Sequence, residues 1–303
     1  RLRKRWSILH PLTCCDGVAV KMALVFAVVV TMTAFAANSV LNRIGVAGFG
    51  MDPFVFALVR VAAGAAALSV IVGLSGRNPL SKIGGRWRGA LALSAYMIGF
   101  SYAYLTLGAG LGALILFGTL QVFMFGWAAW RGAHIPVARW LGVCVALTGL
   151  VVLLWPAGAT VVPLVGTGAM ILAALGWAAY TILGQAEADP LAASAGNFIL
   201  CLPLVALPLL GGSTGEIGLG GVAAAVTAGA ITSGLGYALW YRVLPALPVT
   251  IAAISQLSVP VIAVAAGVVL LGEPVTARLL IAGVLVLGGI ALSTLRRAPA
   301  RHS

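Results

Sequence analysis

Hydrophobic and polar positions alternate along this chain in long blocks rather than short periods. Apolar runs of about twenty residues, the length a helix needs to cross a hydrocarbon core, are separated by charges, Gly–Pro clusters or polar turns. The pattern predicts ten helical segments, over residues 22–41, 53–74, 88–108, 110–130, 137–155, 165–184, 191–210, 219–241, 248–271 and 277–295. Two boundaries are inferred. The stretch 88–130 is too long for one crossing and is divided at Gly108-Ala109-Gly110. Pro245 and Pro248 separate the eighth run from the ninth, since prolines so close together favour a turn. The expected fold class is all-α integral membrane, with ten transmembrane helices.

Composition explains why these runs are read as spans and not as buried core. Of 303 residues, 62% are hydrophobic and 8% charged, against about 45–50% and about 25% in soluble domains. So few charges cannot cover a water-facing exterior, and the solvent for most of the surface has to be lipid. The net charge of +12 sits in the short segments between apolar runs, where it orients the chain in the membrane and makes no nucleic-acid face. With a cytoplasmic N-terminus and ten crossings, the inner side receives Arg1, Arg3, Lys4, Arg5, Lys21, Arg77, Lys82, Arg86, Arg88, Arg131, Arg139, Arg242, Arg296, Arg297 and Arg301. The outer side receives only Arg43 and Arg278, and Arg60 falls within a run. That asymmetry supports an even number of spans, both termini cytoplasmic, in a bacterial inner membrane.

Arg1 to Arg5 is basic, but no apolar stretch with a small-residue cleavage site follows before Lys21, so a signal peptide is not expected. Residues 1–21 are expected to be a cytoplasmic tail or an upstream extension of little function, and 296–303 a cytoplasmic C-terminal tail. Cys14, Cys15, Cys144 and Cys201 show neither metal spacing nor a disulfide framework. No metal and no cofactor is expected.

An internal repeat lies beneath the ten runs. Shifting the sequence by 139 residues places Tyr102 on Tyr241, Ala113 on Ala252, Val122 on Val261, Ala138-Arg139 on Ala277-Arg278, Leu141 on Leu280 and Gly149 on Gly288. The halves, 22–155 and 156–295, hold five spans each, and an odd number places them in opposite orientations. Inverted repeats of this kind are a transporter plan, with the binding site near the midplane between halves.

The stretch Gly236-Tyr237-Ala238-Leu239-Trp240-Tyr241 leading to Pro260, then Leu271-Gly272-Glu273-Pro274 and the closing helix with Gly288-Gly289, resembles the EamA-type permeases of the drug/metabolite transporter superfamily. Weaker echoes are Phe35-Ala36-Ala37-Asn38-Ser39 and Asp52-Pro53 followed by Arg60. The resemblance covers about residues 22–295. It implies two inverted five-helix repeats and transport of metabolites, commonly export of amino acids or related compounds. Two departures stand out. Gln121 occupies the place of a proline whose repeat partner is Pro260, and Arg131-Gly132-Ala133-His134 replaces the Leu-Gly-Glu turn in the first half.

Candidate site residues follow from polar groups placed at depth. Arg60 lies seven residues past Pro53, roughly 10 Å below the helix end at about 1.5 Å per residue. It reads either as an anchor for a substrate carboxylate or as a structural arginine that snorkels. Trp177 and Tyr180 align with Phe35 and Asn38 under a shift of 142, so these four can face one another across the pseudo-symmetry axis. Ordinary packing is the alternative, and for Phe35 the simpler one. Gly229, Ser233, Tyr237 and Tyr241 share one helix face at four-residue spacing; Ser233 and Tyr237 are candidate binding residues, and Trp240 and Tyr241 belong equally to an interfacial aromatic belt. Pro260 inside a helix would free the carbonyl of Gln256, giving a ligand group, a hinge for alternating access, or a kink satisfied by a neighbouring helix. Gln121, Tyr96 and Tyr102 complete the candidate substrate-binding set.

Absences narrow the mechanism. No Asp, Glu or His falls mid-span, whereas proton-coupled pumps relay through buried carboxylates or histidines. Facilitated export or exchange is the simpler expectation, for a small polar, amino-acid-like metabolite carried by alternating access. Flipping of a lipid-linked carrier, or a drug- or nucleotide-sugar-type permease, is the alternative within transport; against a flippase, only Arg60 is present to grip a pyrophosphate. An intramembrane enzyme needs paired catalytic groups at depth, and the sequence shows none. The expected partners are a small-molecule substrate and the bilayer, with no nucleic acid; monomer and homodimer both remain open.

Overall fold

The computed structural model describes residues 14–80, 85–132, 135–155, 162–185, 187–212, 215, 217–247, 251 and 255–294; for 14–21 and 294 only the backbone is described. Among the described residues the chain is helical throughout, with no strand. In lipid every backbone N–H and C=O has to be satisfied inside its own segment, and an apolar run does this as a helix.

The helices in chain order are α1 (Cys14–Arg43), α2 (Pro53–Leu74), α3 (Trp87–Ala103), α4 (Ala109–Trp130), α5 (Val137–Leu154), α6 (Leu164–Gly184) and α7 (Pro190–Ala206). α8 is one rod in three stretches, Leu219–Val226, a π-helical Thr227–Leu235 and Gly236–Val243, and it is followed by α9 (Ser258–Leu271) and α10 (Ala277–Thr294). Each apolar run overlaps a helix. Among the described residues seven helical stretches are long and apolar enough to cross a membrane, while Ser258–Leu271 and Ala277–Ser293 are apolar but shorter. α3 has 17 residues.

Three boundaries differ from expectation. α1 continues into a π-helical turn, Ile44–Gly48, beyond the predicted end at residue 41. α3 stops at Ala103, five residues short of 108, and Arg43 Nη1 donates to the carbonyls of Tyr104 (2.9 Å) and Leu105 (3.0 Å) just past its end. Helical hydrogen bonding is interrupted at Leu257, so Pro260 stands in the first turn of α9. A proline is tolerated there, since its missing N–H would be unpaired anyway. Residues 255 and 256, before the interruption, are helical, and Leu257 itself keeps helical backbone angles. Residues 248–250 and 252–254 of the predicted ninth span lie outside the described residues.

Helices α2 and α7 begin alike. Asp52 accepts from the amides of Phe54 (2.8 Å) and Val55 (3.1 Å) with Pro53 next in sequence; Asp189 accepts from Ala192 N (3.1 Å) with Pro190 next. A carboxylate at the N-cap satisfies donors the helix leaves open, stabilising each start by about 1 kcal/mol.

The largest helix interfaces are α5·α10, α3·α6, α2·α7, α2·α8, α1·α8, α4·α6, α4·α9, α3·α7 and α1·α9. Small residues let the backbones approach closely. A Cβ added at Gly142 of α5 would lie 2.5 Å from the Gly289 carbonyl of α10, and one at Gly176 of α6 would lie 2.6 Å from Tyr96 N of α3. Large apolar side chains such as Phe26, Leu74, Trp130 and Val284 are exposed around the outside, where a lipid surface suits them.

Each end of the bundle carries its own polar clasps. At one end Arg77 Nη1 meets both Asp189 carboxylate oxygens (2.9 Å each), and Arg86 pairs with Glu187 (3.6 Å). At the other, Arg43 holds the end of α3, Glu273 accepts from Ala109 N (2.6 Å) and Gly110 N (3.3 Å) at the start of α4, and Arg278 donates to the carbonyls of Val152 (2.7 Å) and Trp155.

Candidate functional site

At the centre of the bundle α1, α2, α3, α6, α7 and α8 converge on Arg60. Its side chain is fully buried. Nη2 donates to the hydroxyls of Tyr96 (3.2 Å) and Ser233 (3.3 Å), and the guanidinium carbon lies 5.5 Å from the Tyr96 ring centre and 5.1 Å from that of Phe100. Both ring distances fall inside the range of about 6 Å over which a ring face attracts a cation. Among the described residues Nε and Nη1 have no hydrogen-bond partner, and no carboxylate pairs with this arginine; the ion pairs present are Arg77–Asp189 and Arg86–Glu187. A guanidinium in that position costs about 2.5–3.5 kcal/mol on insertion scales, and neutral hydroxyls and ring faces offset it without a counter-charge.

The π-helical stretch of α8 shapes the wall beside Arg60. Adjacent residues diverge less around a π-helix than around an α-helix, so both Thr232 and Ser233 reach the same acceptor. Thr232 Oγ1 lies 2.7 Å and Ser233 Oγ 3.4 Å from Asn38 Oδ1. Thr232 Oγ1 is also 2.9 Å from the Ala228 carbonyl, one proton between two acceptors, so the Asn38 amide is held without being saturated. Such π segments are short and concentrate at functional sites. Glycine permits the close approach here: a Cβ at Gly229 would overlap the Arg60 carbonyl, and one at Gly64 would lie 3.2 Å from the Gly229 carbonyl.

Aromatic rings close the space around this polar floor. Tyr237 sits between Phe35 (5.8 Å between ring centres) and Trp177 (5.5 Å), and touches Phe198 (6.0 Å). Trp177 in turn contacts Tyr96 (5.0 Å) and Tyr180 (5.7 Å). Beyond Tyr237 lies Tyr241 (6.4 Å), whose hydroxyl accepts from Ser194 Oγ (3.4 Å), and Ser194 accepts from Tyr180 OH (2.9 Å). Tyr241 also lines a cavity of about 830 Å³, together with Arg242, Arg77, Asp189, Ser75 and apolar residues of α2, α7 and α8. A smaller cavity of about 290 Å³ at the opposite end is lined by Arg43, Glu273 and Arg278. Arg60 lines neither cavity.

Of the residues singled out from the sequence, Asn38, Arg60, Tyr96, Trp177, Tyr180, Ser233 and Tyr237 converge here. Three do not. Tyr102 stacks on Phe54 (5.8 Å) at the start of α2, Gln121 is half-buried further along α4, and Gln256 stands at the break before α9. Thr232, Phe100, Phe198 and Ser194 were not anticipated. Thr232 is hidden by any reading that assumes α-helical spacing across α8, and Phe100 lies four residues from Tyr96 on the same face of α3. Phe198 lacks any polar signal.

Residues 164–295 match the family model described as the EamA-like transporter family. An uncharacterized protein of Pseudomonas aeruginosa is 46% identical over 266 residues, spanning 87% of this chain and 92% of its own length. A solved crystal structure of another protein is similar at a TM-score of 0.63 and 22% identity, over 89% of this chain and 98% of that one, a likeness of fold.

Proposed function

Because this chain belongs to the EamA-like transporter family, a family of transporters and not of enzymes, we propose that it is a secondary carrier for a small polar metabolite bearing a carboxylate. An amino-acid-like compound exported across a bacterial inner membrane is the reading favoured. The observation that carries it is Arg60, fully buried, with Nε and Nη1 unpartnered and no carboxylate beside it among the described residues. Nε and Nη1 keep protons to donate to a carboxylate, and a two-pronged fork forms at either edge once one Nη2 bond to a neutral hydroxyl is exchanged for a carboxylate oxygen. Asn38 supplies an amide and Trp177, Tyr96 and Tyr237 supply ring faces, which suit an ammonium or an apolar side chain on the same small molecule.

The proposed architecture is ten crossings in two inverted repeats, 22–155 and 156–295, with both termini cytoplasmic. The interfaces support it. Exchanging each helix with the one five places on turns α3·α6 into α1·α8, α4·α6 into α1·α9 and α3·α7 into α2·α8, and leaves α2·α7, α4·α9 and α5·α10 as they are. The paired Asp-Pro starts of α2 and α7 stand at opposite ends of the bundle, since Asp189 meets Arg77 beyond the far end of α2.

In the proposed cycle, this conformation faces the cytoplasm. The large cavity at the Arg77 end is the substrate's approach, the Tyr180–Ser194–Tyr241 chain is the thin barrier to Arg60, and Arg43, Glu273 and Arg278 close the outer end. Rocking of the halves, with the helix break before Pro260 as a hinge, would exchange these roles. Every described carboxylate is engaged at an end of the bundle, which favours facilitation or exchange over a proton relay.

Counterflow of labelled amino acids, nucleosides and sugars into proteoliposomes, with and without a proton gradient, tests this. Amino-acid counterflow indifferent to the gradient is expected. Accumulation of sugars or nucleosides alone would overturn the substrate class, and dependence on the gradient would overturn the uncoupled mechanism.

A further inference from the structure

Substrate neutralises Arg60 only while it is bound, and the carrier has to return without it. In this conformation the guanidinium is fully buried and, among the described residues, both Nε and Nη1 lack partners. The described carboxylates are all committed elsewhere: Asp52 to the start of α2, Glu273 to the start of α4, Glu187 to Arg86 and Asp189 to Arg77. Asp16 and Glu216 lie outside the described side chains. A buried charge without a partner is the least stable arrangement a low-dielectric interior can hold.

We propose that a halide-sized monovalent anion, chloride in the cell, binds the Arg60 guanidinium when substrate is absent, and that the carrier exchanges this anion for substrate. The inference rests on the reading of Arg60 as the substrate anchor. Three features favour a small single charge. The site is walled by the faces of Tyr96 and Phe100 and by Ser233, and Arg60 lines neither cavity, so the smallest anion needs the least rearrangement to enter. One guanidinium is matched by one negative charge, and sulfate or phosphate would leave an excess. The Tyr96 hydroxyl accepts from Nη2 and keeps its own proton to donate to the anion. The guanidinium then faces one negative charge in both half-cycles, a carboxylate one way and a halide on the return.

The experiment uses the purified full chain and sodium chloride as probe, against sodium gluconate at equal ionic strength. Chloride, and bromide with it, is expected to raise the melting temperature saturably, as any ligand of the folded state does. Reconstituted protein is expected to mediate exchange of radiolabelled chloride about tenfold or more above protein-free vesicles, a change corresponding to about 1.4 kcal/mol. Arg60→Gln should lose both effects, and Arg88→Gln, at an exposed position far from the site, should keep both. Equal melting in the two salts, binding without labelled exchange, or binding that survives in a folded Arg60→Gln would each overturn the proposal. The wild-type arms need no variant, so a misfolded Arg60→Gln does not blunt the test. Amino-acid counterflow lost in Arg60→Gln with no chloride effect in the wild type removes this inference and leaves the carrier reading standing. Arg60-dependent chloride exchange without counterflow of any organic label does the reverse.

Discussion

Replacing Arg60 by methionine separates a binding arginine from a structural one. Methionine keeps an unbranched chain and removes the charge. The relief is about 2.5–3.5 kcal/mol, the insertion cost of an arginine at mid-span. Against it stand the lost contacts. The bonds to Tyr96 and Ser233, at 3.2 and 3.3 Å, are longer than the usual amide–oxygen optimum of about 2.9–3.0 Å. Their donor is charged, and at this length they are worth about 1.5 kcal/mol each, the lower end for charge-assisted bonds. The ring contacts with Tyr96 and Phe100 add about 1 kcal/mol together. The balance disfavours methionine by only about 1 kcal/mol, a fall of about 2 °C in melting temperature, measured on detergent-purified protein in gluconate. Counterflow should fall to background in the same variant. A loss of about 3 kcal/mol or more, the signature of breaking a satisfied buried pair, would refute the reasoning and make Arg60 a structural residue.

Other substitutions probe the surroundings. Gly229→Ala drives a Cβ into the Arg60 carbonyl and to 2.9 Å from Ala63 Cβ; the obstacle is backbone, so α2 and α8 are forced apart at a cost of about 1–3 kcal/mol, and an unchanged melting temperature would count against the glycine seam. Glu273→Gln weakens the bonds from Ala109 N and Gly110 N, worth about 1 kcal/mol as a helix cap. Opening of that end should rise about fivefold, read as faster labelling by an impermeant maleimide of a cysteine placed at buried Leu107; equal labelling would show that the cap is not a gate. Thr232→Val removes the hydroxyl 2.7 Å from Asn38 Oδ1 and should lower stability by about 1 kcal/mol while raising the half-saturating substrate concentration, and an unaltered half-saturation would separate Asn38 from binding.

The helices were legible because lipid imposes one rule on every span: apolar run, internal hydrogen bonds, charge at the ends. α2 lies over Pro53–Leu74 as expected, since Asp52-Pro53 writes its start in sequence. The early stop of α3 was not legible: the Arg43 side chain that meets the carbonyl just past it is 61 residues away from Tyr104. Within the site, polar side chains at depth announced themselves: Arg60, Asn38 and Ser233 have few reasons to be mid-span and were found together. Thr232 was missed because the π turn of α8 breaks the α-helical spacing on which the stripe was built. Gln121 and Gln256 show the converse, since an amide in an apolar run need not face the centre. Phe100 and Phe198 look like any packing phenylalanine until the ring that surrounds Arg60 is assembled in three dimensions.

The central claim is that the Arg60 guanidinium grips a carboxylate on the transported molecule. Counterflow of a labelled amino acid, competed by the unlabelled acid and by its carboxamide, compares the two head groups in wild-type protein and in Arg60→Met. The account predicts that the acid competes at least about tenfold better than the amide in the wild type, a difference of about 1.4 kcal/mol, and that Arg60→Met transports neither. Equal competition by acid and amide, or undiminished counterflow in Arg60→Met, would contradict it.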